Sequence, residues 1–379
     1  MGTLLIPHRL VTPAGSQSNQ ALLIEDGLIA RVGATDDLRG HGHDEVLLAE
    51  QTLGPGLVDL QVNGGGGCLL NDDPTIEGLL TIVQAHQAAG STTILPTLIS
   101  TDVDTMKRAR KAVEEGLEQG ISGLAGLHLE GPFLDDVKRG AHASEFLRAP
   151  TAEDRSLLEQ ASAGALLLTL SANHATEDLC ANLHGAGLIL SLGHSSASAQ
   201  EATAAFDRGV RLVTHLYNAM SPLAHRDPGL VGAALADERV TTGLIADGHH
   251  VHPTALRAAW QAKGCERFLC VSDAIGIAGT NQSETSLAGQ TVRAVDGRCV
   301  NQEGRLAGSA IVLSDSLAVL VEQVGLTLPE ALLACSTVPA RVLGLGDRGS
   351  LKPGLRADLI ALDTNLDVQG VWVAGQRLG

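Results

Sequence analysis

Apolar residues in the middle of the chain come in short runs that polar residues hardly interrupt. Runs of this kind suit strands buried on both faces of a parallel sheet, because a strand with one wet face would alternate. They predict strands over 57–63, 92–97, 125–130, 166–171, 188–194, 212–215, 240–247 and 268–273. Between them lie Ala-rich stretches of helical character, as over 75–89 and 197–208, and Gly90 and Gly209 stand where those helices would stop. Eight strand–helix units close a barrel, so the fold class predicted is α/β, a (β/α)8 TIM barrel over residues 54–345. The ends of the chain have another rhythm. Residues 1–53 and 346–379 hold alternating positions and tight turns, as in Ala21-Leu22-Leu23-Ile24-Glu25-Asp26-Gly27, and are predicted to pair into a small β-sandwich beside the barrel. One further hairpin, over 289–304 with Asp296-Gly297 as its turn, follows the eighth strand, where it would cover the site.

Composition narrows the function classes. With 379 residues, 44% of them hydrophobic and 18% charged, the chain reads as globular and long enough for a barrel plus an accessory domain. Aromatic residues are only 2%, so the core must be built from Leu, Val, Ile and Ala, and stacking platforms for nucleic-acid bases are nearly absent. A formal net charge of -17 argues against a nucleic-acid partner, while a small anionic substrate would need a few local cations. The six cysteines are scattered without a Cys-x-x-Cys pair, which suits reduced thiols. The N-terminus carries neither a secretory nor a myristoylation signal, and no apolar stretch approaches the ~20 residues of a membrane span. The expectation is a cytoplasmic protein with no membrane contact.

Three of the predicted strands end in a metal-ligating side chain: Glu130, His194 and His215. In such barrels the residues that terminate separate strands converge at one face. Three protein ligands leave a coordination position open for water, the pattern of a catalytic rather than a structural zinc site. A lone histidine is more often a core or surface residue, and it is the joint placement that favours a metal. Asp247 and Asp273 end the seventh and eighth strands. Asp273, among apolar neighbours, suits a general base, a metal ligand or a helix cap; the base is favoured, because a metal-activated water needs a nearby proton acceptor and the leaving group a donor. The pairs His41/His43 and His250/His252 have the spacing of a strand ligand pair. The first falls in a Gly-rich loop and is assigned to solvent; in the second, His250 is placed near substrate and His252 at a helix start. His86 lies in a helix pattern and reads as packing or surface.

The motifs Pro55-Gly56-Leu57-Val58-Asp59, His128-Leu129-Glu130-Gly131-Pro132-Phe133, Gly140-Ala141-His142, Gly193-His194-Ser195, Thr214-His215-Leu216-Tyr217-Asn218-Ala219-Met220 and Leu306-Ala307-Gly308-Ser309 go further. Together they resemble the N-acetylglucosamine-6-phosphate deacetylases of the amidohydrolase superfamily, over essentially the whole chain. The resemblance implies a distorted (β/α)8 barrel with a β-sandwich from both termini, a homodimer, and hydrolysis of the acetamide of a phosphorylated amino sugar. It implies one divalent ion on Glu130, His194 and His215, zinc first, with iron, manganese and cobalt as other candidates. Asp273 would move the proton, and His142 would face the developing oxyanion. Ala141, His142, Asn218, Ala219, Asp247, His250, Leu306, Ala307 and Gly308 would line the substrate pocket. In the family the arginine at the position of Arg226 reaches the phosphate in the neighbouring subunit, with the histidine matching His250.

One departure is informative. Most amidohydrolases end the first strand in His-x-His, whereas Gln61 and Asn63 stand here. Neutral carboxamides are poor ligands, so a two-metal site is not expected. The fourth strand ends in Leu170-Ser171-Ala172-Asn173-His174 and offers no lysine to carbamylate, which counts against the dihydroorotase and hydantoinase branches; His174 and His249 stay without a role. Two alternatives remain: the same chemistry on the galactosamine epimer, and a catalytically silent sugar-phosphate sensor or scaffold on the same fold.

Overall fold

The computed structural model describes residues 2–12, 15–295 and 297–379. Eight parallel strands form one sheet: β1 (Leu57–Val62), β2 (Ser91–Ile99), β3 (Gly126–Glu130), β4 (Ala165–Leu170), β5 (Ile189–Leu192), β6 (Leu212–Val213), β7 (Thr241–Ile245) and β8 (Phe268–Val271). Neighbours in sequence are neighbours in space. Both faces are apolar, as the unbroken runs require. Leu60, Leu95, Leu167, Ile245 and Leu269 fill the interior, while alternating residues such as Leu127, Leu129, Leu166 and Leu168 pack on helix residues Ile82, Met106 and Leu179.

Closure between β8 and β1 is made by isolated contacts rather than a full ladder. The Asp273 N–H donates to the Gln61 carbonyl at 3.0 Å, Val62 bridges Ala274, and the buried Asp59 carboxylate accepts the Ser272 N–H at 3.2 Å. The barrel is therefore distorted at this seam.

Helix positions follow their capping residues. The helix Ile76–Ala88 begins where Thr75 accepts the Gly78 N–H, and Gly90 follows it at φ +97°. The helix Ala199–Asp207 opens with a Ser198/Glu201 capping box and is followed by Gly209 at φ +100°.

The terminal segments pair as expected, with Leu359–Leu362 running antiparallel to Asp44–Pro55. They form one eight-stranded sheet rather than two separate ones. Its edge strand Leu28–Ala34 returns to the segment that leads into Leu359–Leu362: the Ile29 N–H donates to the Leu355 carbonyl at 2.8 Å, and Leu28 bridges Arg356. That curl encloses a core of Leu5, Leu22, Leu53, Leu359 and Trp372, which makes the sandwich. The chain leaves this sheet for β1 through Gly56, where a Cβ would lie 2.3 Å from Thr92 Oγ1. After β8, Gln290–Val295 and Arg298–Asn301 form the predicted hairpin, joined by Glu284–Leu287 as a third strand. Its turn residue Asp296 lies outside the described residues. Among the described residues no helix is long and apolar enough to cross a membrane, and the cysteines are free thiols.

Candidate metal centre

The strands β5, β6 and β8 end two residues earlier than their apolar runs suggest. His194, His215 and Asp273 have φ of +46°, +30° and +53°. A left-handed residue cannot continue a ladder, so each strand stops and its side chain is turned into the barrel mouth. Glu130 remains in the ladder, opposite Thr169. The Gly131 that follows it has φ +86°, and a Cβ there would come within 2.3 Å of Ser100 Oγ. That close approach explains the glycine of the Glu-Gly-Pro motif.

Glu130, His194 and His215 are buried, and one ligand atom from each lies within 4.8 Å of the others. Glu130 Oε1 is 3.2 Å from His194 Nε2 and 3.0 Å from His215 Nε2, and the two Nε2 atoms are 3.0 Å apart. Two imidazole nitrogens and a carboxylate oxygen aimed at one point suit a cation. His194 Nδ1 lies 2.8 Å from the Lys138 carbonyl, which can only accept; Nδ1 therefore carries the proton and Nε2 presents its lone pair to the centre. Burial would raise the Glu130 pKa, but hydrogen bonds and charge from His194 and His215 hold it well below the usual carboxylate range. The chemistry of this donor set fits zinc, iron, manganese or cobalt.

Gln61 and Asn63 hold the place of a second ligand pair in another way. Gln61 Nε2 donates to Glu130 Oε1 and to Asp273 Oδ1, each at 3.0 Å, and Asn63 Nδ2 donates to Asp273 Oδ1 at 2.8 Å. They orient carboxylates as neutral donors. Among the described residues the buried Asn63 Oδ1 has no hydrogen-bond partner. Burial and the charge of Glu130 raise the Asp273 pKa to about 6, against the lowering effect of His215 and Asn63. His142 Nδ1 accepts the Ser100 backbone N–H at 3.2 Å, so the neutral ring carries its proton on Nε2. Burial, then His194, push its pKa down to about 3, which keeps it neutral. Ser100, directly after β2, is a positioning residue that no motif signalled.

Above these groups lies a cavity of about 610 Å³, within the usual range for a small-molecule site. Asn63, Glu130, Ala141, His142, His194, His215, Asn218, Ala219, His250, Asp273, Leu306, Ala307 and Gly308 all line it. Asp247 contributes through His250, whose Nδ1 lies 2.6 Å from Asp247 Oδ2. Arg226 is not part of this wall; it sits on an exposed turn over 222–228. His174 is half-buried and does not line the cavity, and His249 is exposed. His252 caps the helix Pro253–Arg267, and His86 is buried against the Gly64 carbonyl at 2.9 Å. His41 and His43 belong to no ligand cluster among the described residues. Sequence reasoning missed Lys138, Arg139, Gln290, Asn301 and Arg305 in the wall. Lys138 and Arg139 stand in the same short stretch as the Gly140-Ala141-His142 motif, which was the available signal.

A closed α/β barrel with a Glu/His/His cluster at the C-terminal ends of its strands defines a metal-dependent hydrolase scaffold. The chain belongs to the amidohydrolase family, whose sequence model matches residues 52–378. It is 36% identical over 373 residues to an N-acetylgalactosamine-6-phosphate deacetylase of Shewanella sp. (strain ANA-3), covering 98% of this chain and 94% of that one. It is 35% identical over 333 residues to an N-acetylglucosamine-6-phosphate deacetylase of Haemophilus influenzae, covering 87% of each. Among solved structures, N-acetylglucosamine-6-phosphate deacetylase of Pasteurella multocida superposes with a TM-score of 0.96 at 32% identity over 100% of both chains. A mutant of the Mycobacterium smegmatis enzyme, in complex with N-acetyl-D-glucosamine-6-phosphate, gives 0.92 at 29% identity over 99% of both.

Proposed function

We propose that this protein hydrolyses the acetamide of N-acetyl-D-glucosamine 6-phosphate to D-glucosamine 6-phosphate and acetate, as a cytoplasmic enzyme of amino-sugar breakdown. The observation that carries the reading is the convergence of Glu130, His194 and His215 beside Asp273 and His142 at the floor of one cavity. Relatives and structural neighbours bearing that activity in their names support it. Catalysis belongs to the barrel over 54–345, with 1–53 and 346–379 as the flanking domain.

One divalent ion, zinc first, would be held by Glu130, His194 and His215. When bound, it supplies Lewis-acid chemistry and lowers the pKa of water from ~15.7 towards 7. Asp273 removes a proton from the attacking water as its oxygen closes on the acetamide carbon. The carbonyl oxygen gains charge and accepts a hydrogen bond from His142 Nε2, the protonated nitrogen of a ring fixed by Ser100. Asp273 then delivers its proton to the nitrogen as the C–N bond breaks, without which the intermediate would revert. Acetic acid ionises on release, and the free amine takes up the second proton.

For the phosphate, the reading places His250 in the wall and Arg226 in the neighbouring subunit of a homodimer, consistent with an arginine that sits on an exposed turn outside its own cavity. A second reading, the galactosamine epimer, is favoured by the 36% identical relative that carries that name across 94% of its length. The test is a titration of metal-free protein with Zn2+, following acetate release from N-acetylglucosamine 6-phosphate. Release should saturate at one equivalent per chain and be abolished in Glu130→Gln. A fully loaded protein that releases no acetate would sink the proposal.

A further inference from the structure

We infer that Lys138 supplies an anion anchor from within the subunit, one that takes the substrate's phosphate. The inference rests on the sugar-phosphate reading above and assigns a role to a residue which that reading leaves unused. Three Lys or Arg side chains line the cavity: Lys138, Arg139 and Arg305. Arg139 is committed to Asp136 at 3.1 Å, and Arg305 to Glu303 at 3.3 Å. Lys138 is half-buried, and among the described residues its ammonium has no ion pair or hydrogen bond. In a chain with 43 acidic and 26 basic side chains, an unpaired lysine in a cavity wall leaves a charge for something else to meet.

The backbone around it is pinned. The Lys138 carbonyl accepts the His194 Nδ1 proton at 2.8 Å, and the Asp135 N–H donates to the His194 carbonyl at 3.0 Å. Asp135 also accepts from the Ser196 N–H at 2.7 Å. This strap fixes the root of the side chain beside the metal-site histidine and leaves a flexible stem to carry the cation over the cavity. A point charge on such a stem suits phosphate, which does not demand the planar fork of arginine. The reacting end already has His142 and Asp273, and the sugar hydroxyls are neutral. The phosphate is therefore the anionic group left to pair, with product acetate as the competing anion.

The experiment compares Lys138→Met and Lys138→Arg with the unaltered metal-loaded protein. Lys138→Met is expected to raise KM for the phosphorylated sugar ~10-fold or more with a much smaller change in kcat. The ratio of kcat/KM for phosphorylated over unphosphorylated sugar should fall by a similar factor. Binding of inorganic phosphate, measured by calorimetry, should weaken in parallel while acetate binding does not, and Lys138→Arg should restore most of both. An unchanged phosphate affinity overturns the inference. So does an equal loss on both sugars accompanied by lost metal, since the strap would then serve only His194. Phosphate binding that depends on Lys138 in a protein that hydrolyses no amino-sugar phosphate would uphold the anchor and refute the deacetylase reading. Hydrolysis indifferent to Lys138 would do the reverse.

Discussion

At the scale of single residues, the account turns on Asp273. Its carboxylate is held by Gln61 and Asn63 and its pKa is raised to about 6. It accepts a proton only when ionised, and a bound cation can only lower that pKa. The kcat/KM profile is therefore expected to be flat above about pH 6 and to fall tenfold per unit on the acid side of a pKa at or below that value. Asp273→Asn should lose ~10²–10⁴ in kcat with substrate binding largely kept. A variant with most of its activity, or a residual activity with the same acid limb, would remove Asp273 from the proton transfer. The ligand positions were legible because each ends an apolar run. The left-handed exits at His194, His215 and Asp273 were not, since nothing in a residue's type announces a positive φ outside glycine. Ser100 was hidden for another reason: it meets His142 Nδ1 through its backbone N–H at 3.2 Å and its hydroxyl at 2.7 Å, and a lone serine after an apolar run signals neither.

At the scale of elements, eight apolar runs were enough to place every barrel strand, because two-sided burial leaves a continuous signature. The seam between β8 and β1 left none. There Asp59 is enclosed, and burial raises its pKa to about 7 despite hydrogen bonds from Ser272 and Gln61. The folded-state pKa lies above that of the unfolded chain. The stability gained by the protonated form is thus complete below about pH 4 and lost as pH rises through 7. A shift of this size corresponds to at most ~4 kcal/mol. The loss of Tm between pH 5 and pH 8 should be smaller by a few degrees in Asp59→Asn, whose carboxamide oxygen can still accept both N–H groups. Parallel pH curves for the two proteins would show that Asp59 does not titrate in this range. The third strand Glu284–Leu287 escaped prediction because it is short and mixed in polarity. The single curled sheet at the termini escaped because strand alternation specifies faces, not which edges meet.

At the scale of the whole molecule, the proposal sets two cations against the substrate's phosphate, Lys138 from the same chain and Arg226 from its neighbour. If Arg226 serves the neighbouring site, Arg226→Met and Asp273→Asn should complement each other. In a mixed dimer one site pairs an intact Asp273 with an intact partner arginine, so remixed subunits should recover up to about a quarter of full activity at low substrate. No recovery from verified mixed dimers would place Arg226 outside the phosphate site. The measurement that tests the central claim most directly is kcat/KM for acetate release by the zinc-loaded protein. The substrates are N-acetylglucosamine 6-phosphate, its galactosamine epimer and unphosphorylated N-acetylglucosamine. The account predicts the highest value for the glucosamine phosphate, at least ~100-fold above the unphosphorylated sugar, from two charge-assisted contacts to phosphate. A higher value for the epimer would move the substrate assignment to galactosamine, and equal values with and without phosphate, or no acetate from any of the three, would contradict the account.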